Sequence, residues 1–198
     1  MTTPQGGYDI RTLTDESDLH AIWPLVRQLR PEFDENRFVT QMQRQIGAGC
    51  RATVLFDDGG APRAFASWRV MEMLAVGKHV YVDDLVTDAN ARSRGHGKAM
   101  LDWLKAEARR LGCARLQLDS GTHRQDAHAF YLREGLRIEA FHFGIALKSA
   151  VGAIPGAGNG YPDPGSAPRF VRPPSKRHAM KPTPARRESA VPDHEAGA

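Results

Sequence analysis

Residues 86–101, VTDANARSRGHGKAML, combine glycines and cations in the manner of an anion-binding loop. The motif R-x-x-G-x-G at 92–97 follows a short polar turn and leads directly into a helical pattern. Glycine lets the backbone approach a ligand closely because it has no Cβ atom. The first amides of a helix lack internal partners and, together with the helix dipole, they favour anions. Arg92, Arg94 and Lys98 add positive charge, so the expected ligand is a diphosphate.

The same spacing also occurs in simple tight turns, because a lone G-x-G before a helix is common. The motif is not the dinucleotide fingerprint, whose third glycine is missing here. It is not a P-loop either, since G-x-x-x-x-G-K-[ST] is absent. Taken alone, the motif leaves a phosphate loop and a purely structural turn open.

Three carboxylates and one tyrosine near this loop have side chains that can move protons. Asp83 and Asp84 interrupt an otherwise apolar strand pattern, where a carboxylate is costly unless it is paired or used. Neighbours on a strand point to opposite faces, so we expect these two aspartates to differ in role. Either of them can instead cap a turn or pair with an arginine. Asp119 ends the next strand pattern, and Tyr131 lies in the short helical pattern that follows.

The amino-acid composition argues against several classes of protein. The net charge of +4 on 198 residues is far below the basic density of a dedicated nucleic-acid binder, so nucleic acid is not an expected partner. Two cysteines, Cys50 and Cys113, are too few for a disulfide framework, and neither C-x-x-C nor H-E-x-x-H occurs. We therefore expect reduced thiols and no metal site. No signal peptide or membrane span is predicted, which makes the cytoplasm the expected location.

The composition changes near Ser149 and divides the chain into two parts. Residues 149–198 hold nine of the 13 prolines and seven Lys/Arg against four Asp/Glu, but only two aromatic residues. Such a segment buries too little apolar surface to offset chain entropy, so we expect a disordered basic tail. Residues 1–148 are nearly neutral and are predicted to form the folded, functional domain.

Hydrophobic periodicity predicts a mixed α/β domain in the first 148 residues. Strands are predicted at 8–12, 52–56, 64–73, 80–87, 114–119 and 140–147. Helices are predicted from a cap at Thr14 or Asp15 up to Pro31, and at 34–46, 98–111 and 126–134. A hairpin joined to strand–helix–strand units indicates a mixed sheet with helices on its faces.

The loop and its surroundings resemble the central motif of the GNAT family of N-acetyltransferases. In that family Q/R-x-x-G-x-G/A follows a strand, as Arg92, Gly95 and Gly97 follow residues 81–87 here. Residues 127–136, AHAFYLREGL, are similar to the family's A-x-x-x-Y-x-x-x-G-F element, with leucine in the last place. The resemblance implies the GNAT α/β (α+β) fold, with a mostly antiparallel central sheet flanked by helices, and acetyl-CoA as the acyl donor.

The resemblance also implies which residues hold the donor. The strand end would splay from its neighbour and pair with the pantetheine arm through Leu85, Val86 and Thr87. The loop and first helical turn would grip the diphosphate with Arg92, Ser93, Arg94, Gly95, His96, Gly97 and Lys98. The His96 side chain occupies a variable position and is expected to face solvent. Many members have an asparagine where this chain has Arg124, so that cofactor contact is not carried over.

Acetyl transfer to an amine requires a base for the amine and an acid for the departing thiolate. Tyr131 matches the family's tyrosine beside the CoA sulfur and is the candidate acid, with a packing tyrosine as the alternative. Asp84 matches a position used by some small-amine members and is the first candidate base. Asp119 matches a glutamate that serves as base in some protein-acetylating members and is the second candidate. An ordered water can also take this role.

The predicted function is transfer of acetyl from acetyl-CoA to a primary amine. The sequence leaves open whether the acceptor is a small amine or polyamine, or a protein lysine or N-terminus. The alternative is a non-catalytic, CoA-binding regulatory domain on the same fold. A membrane is not an expected partner, and a homodimer remains open.

Overall fold

Strands and helices alternate in the order β1-α1-α2-β2-β3-β4-α3-β5-α4 over residues 7–145, the part of the chain that the computed structural model describes. The strands are β1 (Tyr8–Leu13), β2 (Arg51–Asp57), β3 (Pro62–Met73), β4 (Gly77–Thr87) and β5 (Arg115–Leu118). The helices are α1 (Glu16–Val26), α2 (Glu35–Gly47), α3 (His96–Arg110) and α4 (Gln125–Arg133). The α/β class is confirmed. The predicted domain end at residue 148 and the tail at 149–198 lie outside the described residues.

The central sheet is mixed and mostly antiparallel, as expected. Its strand order follows the chain, β1-β2-β3-β4-β5, and the first four strands pair in antiparallel fashion with their neighbours. Only β5 runs parallel to its partner β4, because α3 carries the chain back across the sheet between them. The predicted hairpin joins β2 to β3, and the Asp57 carboxylate closes it by accepting the amide hydrogens of Gly59 and Ala61.

Helices cover the sheet on both faces and divide the core into two clusters. Leu19, Ile22 and Phe65 belong to the cluster beneath α1 and α2. Trp68, Met100 and Leu104 belong to the cluster beneath α3. α2 begins at the predicted place because Asp34 caps it by accepting the Arg37 amide hydrogen at 2.8 Å. Within residues 7–145, no helix is both long and apolar enough to cross a bilayer.

A β-bulge interrupts β4 at its two aspartates. Ser67 on β3 pairs with Asp84, whereas the next residue, Trp68, pairs with Val82. Asp83 is therefore an extra residue with no partner on β3. A bulge of this kind bends the strand and re-aims the side chains around it.

Because of the bulge, Asp83 and Asp84 point to the same side of the sheet. Asp83 accepts a hydrogen bond from the thiol of Cys50, which belongs to the cluster beneath α1 and α2. Asp84 binds Arg30, which follows α1 in the chain. The expectation that the two aspartates face opposite sides is wrong, since it assumed a regular two-residue repeat.

The same region of β4 separates from β5. The two strands pair only from His79–Arg115 to Val82–Leu118. Residues 84–87 pair with β3, Asp83 is the bulged residue, and no described strand pairs with residues 83–87 on the side of β5. We call these five residues the open edge of β4, and their backbone is available to an extended ligand.

The last predicted strand, 140–147, is wrong over the residues that the structure describes. Residues 140–145 form no strand, and Phe141, Phe143 and Ile145 are largely exposed. Their alternation suggested a half-buried strand, but a strand also needs a ladder partner. β5 ends at Leu118, and His142 instead contacts Asp119 just beyond that end. Residues 146 and 147 lie outside the described part.

The buried Asp88 ties the start of the loop between β4 and α3 to the rest of the fold. Its carboxylate accepts hydrogen bonds from Arg63 on β3, from the Gln28 side chain after α1, and from the Asn90 amide. Burial raises the pKa of Asp88, but these hydrogen bonds outweigh it and the pKa lies below its ordinary value. The charged form is therefore stabilised by folding.

We expect Asp88→Asn to lower the free energy of unfolding by about 1.5–3 kcal/mol at pH 7, the usual contribution of a hydrogen bond to a charged group. A group whose pKa is depressed on folding stabilises the protein above its unfolded pKa and loses that effect as the pH falls through its folded pKa. The difference from wild type should therefore shrink in acid. Urea unfolding at several pH values measures it, with the exposed Asp9→Asn as control. A difference that is constant with pH would contradict this role of the Asp88 charge.

Candidate active site

The loop between β4 and α3 has the geometry of an anion site. Gly95 occupies the N-cap of α3 with φ +86°, and Ser93 also has a positive φ of 60°. The first hydrogen bond of α3 runs from the Ala99 amide to the Gly95 carbonyl. The amides of the first helical turn therefore have no acceptor within α3 and remain available to an anion. This arrangement fits the predicted diphosphate grip.

The cations of the loop differ in how they are engaged. Arg92 and Arg94 are exposed, whereas Lys98 forms ion pairs with Asp102 and Glu134. The hydrogen bond to Asp102 raises the pKa of Lys98. Lys98 is thus already paired, and its backbone amide is its clearer contribution to an anion site.

His96 differs from expectation. Its side chain is half-buried and its Nδ1 lies 3.3 Å from the carbonyl oxygen of Ala91, so it does not simply face solvent. The ring thereby joins the first turn of α3 to the short 3₁₀ turn Ala89–Ala91.

Close packing explains the glycine at position 97. A Cβ atom there would lie 2.9 Å from Thr87 Oγ1 and 3.7 Å from the Phe130 ring. Any larger residue would push the loop away from β4 or displace these side chains. Gly97 therefore lets the loop, the open edge of β4 and α4 lie close together.

The open edge leads into a cleft of about 310 Å³. The cleft is lined by polar side chains of β4, β5, α4 and the segments that flank them: Arg30, Tyr81, Asp83, Asp84, Asp119, Arg124, Tyr131 and His142. The structure thus brings all three predicted catalytic residues together. Arg30, Tyr81 and His142 come from separate parts of the chain, and no motif signalled their place in the site. Arg124 occupies the position where many family members have a cofactor-contacting asparagine.

Asp84, the first candidate base, is held by three hydrogen bonds. Arg30 donates to its Oδ1 from Nε at 2.8 Å and from Nη2 at 2.5 Å, and Ser67 donates to Oδ2 at 2.8 Å. Both carboxylate oxygens of Asp84 are therefore engaged by donors of the protein. The arginine pairing considered from the sequence is present.

Asp83 is also paired. Arg69 donates a hydrogen bond from Nε to its Oδ2 at 2.8 Å, and the Cys50 thiol lies 3.7 Å from the same atom. Burial raises the pKa of Asp83, although Arg69 opposes this. Burial and the nearby Asp83 charge raise the pKa of the Cys50 thiol to about 11, so Cys50 is an unreactive thiol at neutral pH.

Asp119, the second candidate base, is in a different environment. Its Oδ2 accepts a hydrogen bond from the Tyr81 hydroxyl at 2.6 Å and lies 2.8 Å from Nδ1 of His142. Its side chain is 38% exposed, and no arginine or lysine pairs with it among residues 7–145. It keeps lone pairs that an amine can reach.

Tyr131 lies half-buried on α4, facing the same cleft. Burial raises the pKa of its hydroxyl, and the nearby positive charge of Arg124 partly offsets this. The hydroxyl stays protonated at neutral pH, as a general acid requires.

Comparison with known proteins agrees with this geometry. The sequence pattern of the Acetyltransferase (GNAT) family matches residues 19–136. The uncharacterized N-acetyltransferase YhdJ of Bacillus subtilis is 30% identical over 135 residues, which cover 68% of this chain and 95% of YhdJ. The aminoalkylphosphonate N-acetyltransferase of Salmonella typhimurium is 38% identical over 66 residues, or 33% of this chain and 43% of that protein.

A solved structure of a Trypanosoma brucei acetyltransferase superimposes with a TM-score of 0.58 and is 25% identical, covering 71% of this chain and 99% of that one. The chain therefore belongs to the GNAT family and is an N-acyltransferase.

We expect Gly95→Glu to weaken CoA binding by at least about tenfold, since it places a negative charge where the diphosphate is predicted to lie. No atom lies within 4 Å of a Cβ at this position, so the side chain has room, although its left-handed backbone costs about 1–2 kcal/mol. Titration calorimetry with CoA measures the affinity.

Gly77→Glu is the matched control. Gly77 also has a positive φ and open space around its Cβ position, but it lies at the opposite end of β4. Both variants should lose similar stability, and only Gly95→Glu should lose CoA affinity. Equal CoA affinity in the two variants would exclude the loop as the diphosphate site.

Proposed function

We propose that this protein transfers the acetyl group of acetyl-CoA to the primary amine of a small molecule held in the cleft. The observation that carries the proposal is that three features adjoin one another in the structure. The amide-rich loop suits the diphosphate, the open edge of β4 suits the pantetheine arm, and the cleft at its end contains Asp119 and Tyr131. The residues present thus fit acetyl-CoA as a donor substrate.

In this proposal the donor lies along the open edge. Its pantetheine arm exchanges hydrogen bonds with the backbone of Leu85, Val86 and Thr87. Backbone pairing of this kind is independent of side chains and orients an extended ligand. The Val86 side chain is buried in the core, which fixes the strand that presents these groups. Fixed geometry of the thioester is a large part of catalysis in such a reaction.

Asp119 is our choice of general base. An attacking amine must lose a proton as its nitrogen bonds to the thioester carbonyl carbon. Asp119 can take that proton, and the exposed His142 beside it offers a route from the carboxylate to solvent. Asp84 has its lone pairs directed to Arg30 and Ser67, so we assign it the role of positioning Arg30 rather than accepting the proton.

Tyr131 is our choice of general acid. When the tetrahedral adduct collapses, the carbon–sulfur bond breaks and the sulfur takes the electron pair. A hydroxyl that donates its proton to this sulfur avoids release of a free thiolate, and Tyr131 then regains a proton from water. The carbon–nitrogen bond of the amide forms and the carbon–sulfur bond of the thioester breaks. The amine loses one proton and the sulfur gains one, so the protons balance.

The size and shape of the cleft support a small acceptor. A volume of about 310 Å³ is at the low end of small-molecule sites and is shared with the end of the donor. The Salmonella relative is named for a small aminoalkylphosphonate acceptor. We therefore favour a small amine over a protein lysine or N-terminus. The cytoplasmic location stays a prediction.

Release of free thiol from acetyl-CoA across a panel of amines and lysine peptides tests the reaction. In the same assay, Asp119→Asn and Tyr131→Phe should each lower kcat by about 10²–10⁴-fold, the usual contribution of a positioned base or acid. KM for acetyl-CoA should stay nearly constant, because each change removes an interaction made in the transition state.

Asp84→Asn is the comparison variant. It leaves Arg30 without its carboxylate, so we expect mainly a loss of stability, seen in thermal unfolding, and a smaller fall in kcat. If Asp84→Asn rather than Asp119→Asn abolishes turnover in folded protein, the base is Asp84. If no acceptor releases thiol although CoA binds, the protein is the non-catalytic CoA-binding alternative.

A further inference from the structure

One cation of the cleft has no anionic partner. Arg124 is half-buried at the N-cap of α4 and lines the cleft. Within residues 7–145 its guanidinium makes no ion pair and no hydrogen bond. Its positive charge lies close enough to the Tyr131 hydroxyl to lower the pKa of that group. Half-buried arginines are usually paired, because removal of a charge from water is costly. The absence of a protein partner therefore points to a ligand.

The other charges of the cleft are largely balanced by protein groups. Arg30 pairs with Asp84, and Arg69 pairs with Asp83. Two charges then remain for a ligand: the Asp119 carboxylate, whose contacts are a tyrosine hydroxyl and a histidine, and the Arg124 guanidinium. These two residues lie just after β5 and at the start of α4, and both line the cleft.

We infer that the acceptor carries an acidic group in addition to its amine, and that Arg124 binds this group. The inference rests on the proposed function and narrows its substrate class. A guanidinium binds a carboxylate, phosphonate or phosphate through two parallel hydrogen bonds. With the acid on Arg124, the amine of a short acceptor is directed toward Asp119.

The same charges argue against a polyamine acceptor. Asp83 and Asp84 are the other carboxylates that could attract a second ammonium group, but both are paired with arginines. A second ammonium group would then lie near the unpaired Arg124, where like charges repel. The cleft thus selects an acceptor with one amine and one acid.

Four amines test this inference: 2-aminoethylphosphonate, β-alanine, ethanolamine and 1,2-diaminoethane. In each, two methylene groups join the amine to a second group, and only that second group differs. For the wild type, kcat/KM should be at least about tenfold higher for one or both acids than for the alcohol and the diamine. The ratio of phosphonate to carboxylate shows which acid Arg124 prefers. A preference for ethanolamine or the diamine would overturn the inference while leaving acetyl transfer in place.

Arg124→Gln should lower kcat/KM for the preferred acid by about 10–100-fold, mainly through KM, since it removes a charged hydrogen-bond donor from the bound acceptor. Turnover of ethanolamine should fall much less than turnover of the acid, and KM for acetyl-CoA should change by less than about twofold. Arg124→Lys should restore part of the loss. Arg109→Gln, an exposed arginine on α3, is the control and should behave as wild type.

Two further results would overturn the inference. An equal loss for all four amines, or a raised KM for acetyl-CoA, would place Arg124 at the donor or the reacting atoms. A binding experiment separates this inference from the reaction itself: titration of 2-aminoethylphosphonate and β-alanine into CoA-saturated protein. Binding that is lost in Arg124→Gln supports the anion site even if no amine is acetylated, and absence of binding to the wild type overturns it.

Discussion

The early end of the pairing between β4 and β5 is the constraint on which the site depends. Beyond Val82 and Leu118 the two strands separate, so a central strand keeps one edge without a described neighbour. An unpaired backbone edge inside a sheet is unfavourable unless something satisfies its polar groups. In the proposed function the donor supplies that partner. The bulge at Asp83 lies at the same point and turns two carboxylates toward one side of the sheet. The open edge and the acidic cleft thus begin at the same point of β4.

Charge pairing then decides what each carboxylate can do. Three aspartates line the cleft, yet only Asp119 lacks an arginine partner among the described residues. Asp83 and Asp84 each accept hydrogen bonds from a guanidinium, whereas Asp119 is contacted by the Tyr81 hydroxyl and the His142 ring. Arg30 and Arg69 therefore occupy Asp84 and Asp83, which supports Asp119 as our choice of base. They also leave Arg124 as the unbalanced cation, which links the choice of base to the choice of acceptor.

The sequence predicted the fold class, nearly all elements and the loop, because each has a local signature. The R-x-x-G-x-G spacing places glycine where φ is +86° at Gly95 and where Gly97 packs against Thr87. The bulge was missed because nothing in a run such as VDDLV marks an extra residue. Arg30 and His142 were missed because they reach the cleft through the tertiary fold, 54 and 23 positions from the aspartates they bind. The strand at 140–147 was predicted from alternation alone, which does not show whether a ladder partner exists.

Arg124 affects the proposed acid as well as the acceptor. Burial raises the pKa of Tyr131 and keeps its hydroxyl protonated, but a raised pKa also makes the proton harder to give. The positive charge of Arg124 acts in the opposite direction, because it stabilises the tyrosinate that forms as the proton leaves. When an acidic group of the acceptor binds Arg124, that charge is partly neutralised and the Tyr131 proton is held more tightly. Binding of the acceptor and the acidity of Tyr131 are therefore coupled through the Arg124 guanidinium. An acceptor without an acidic group would leave Tyr131 a stronger acid, but its amine would be less well oriented.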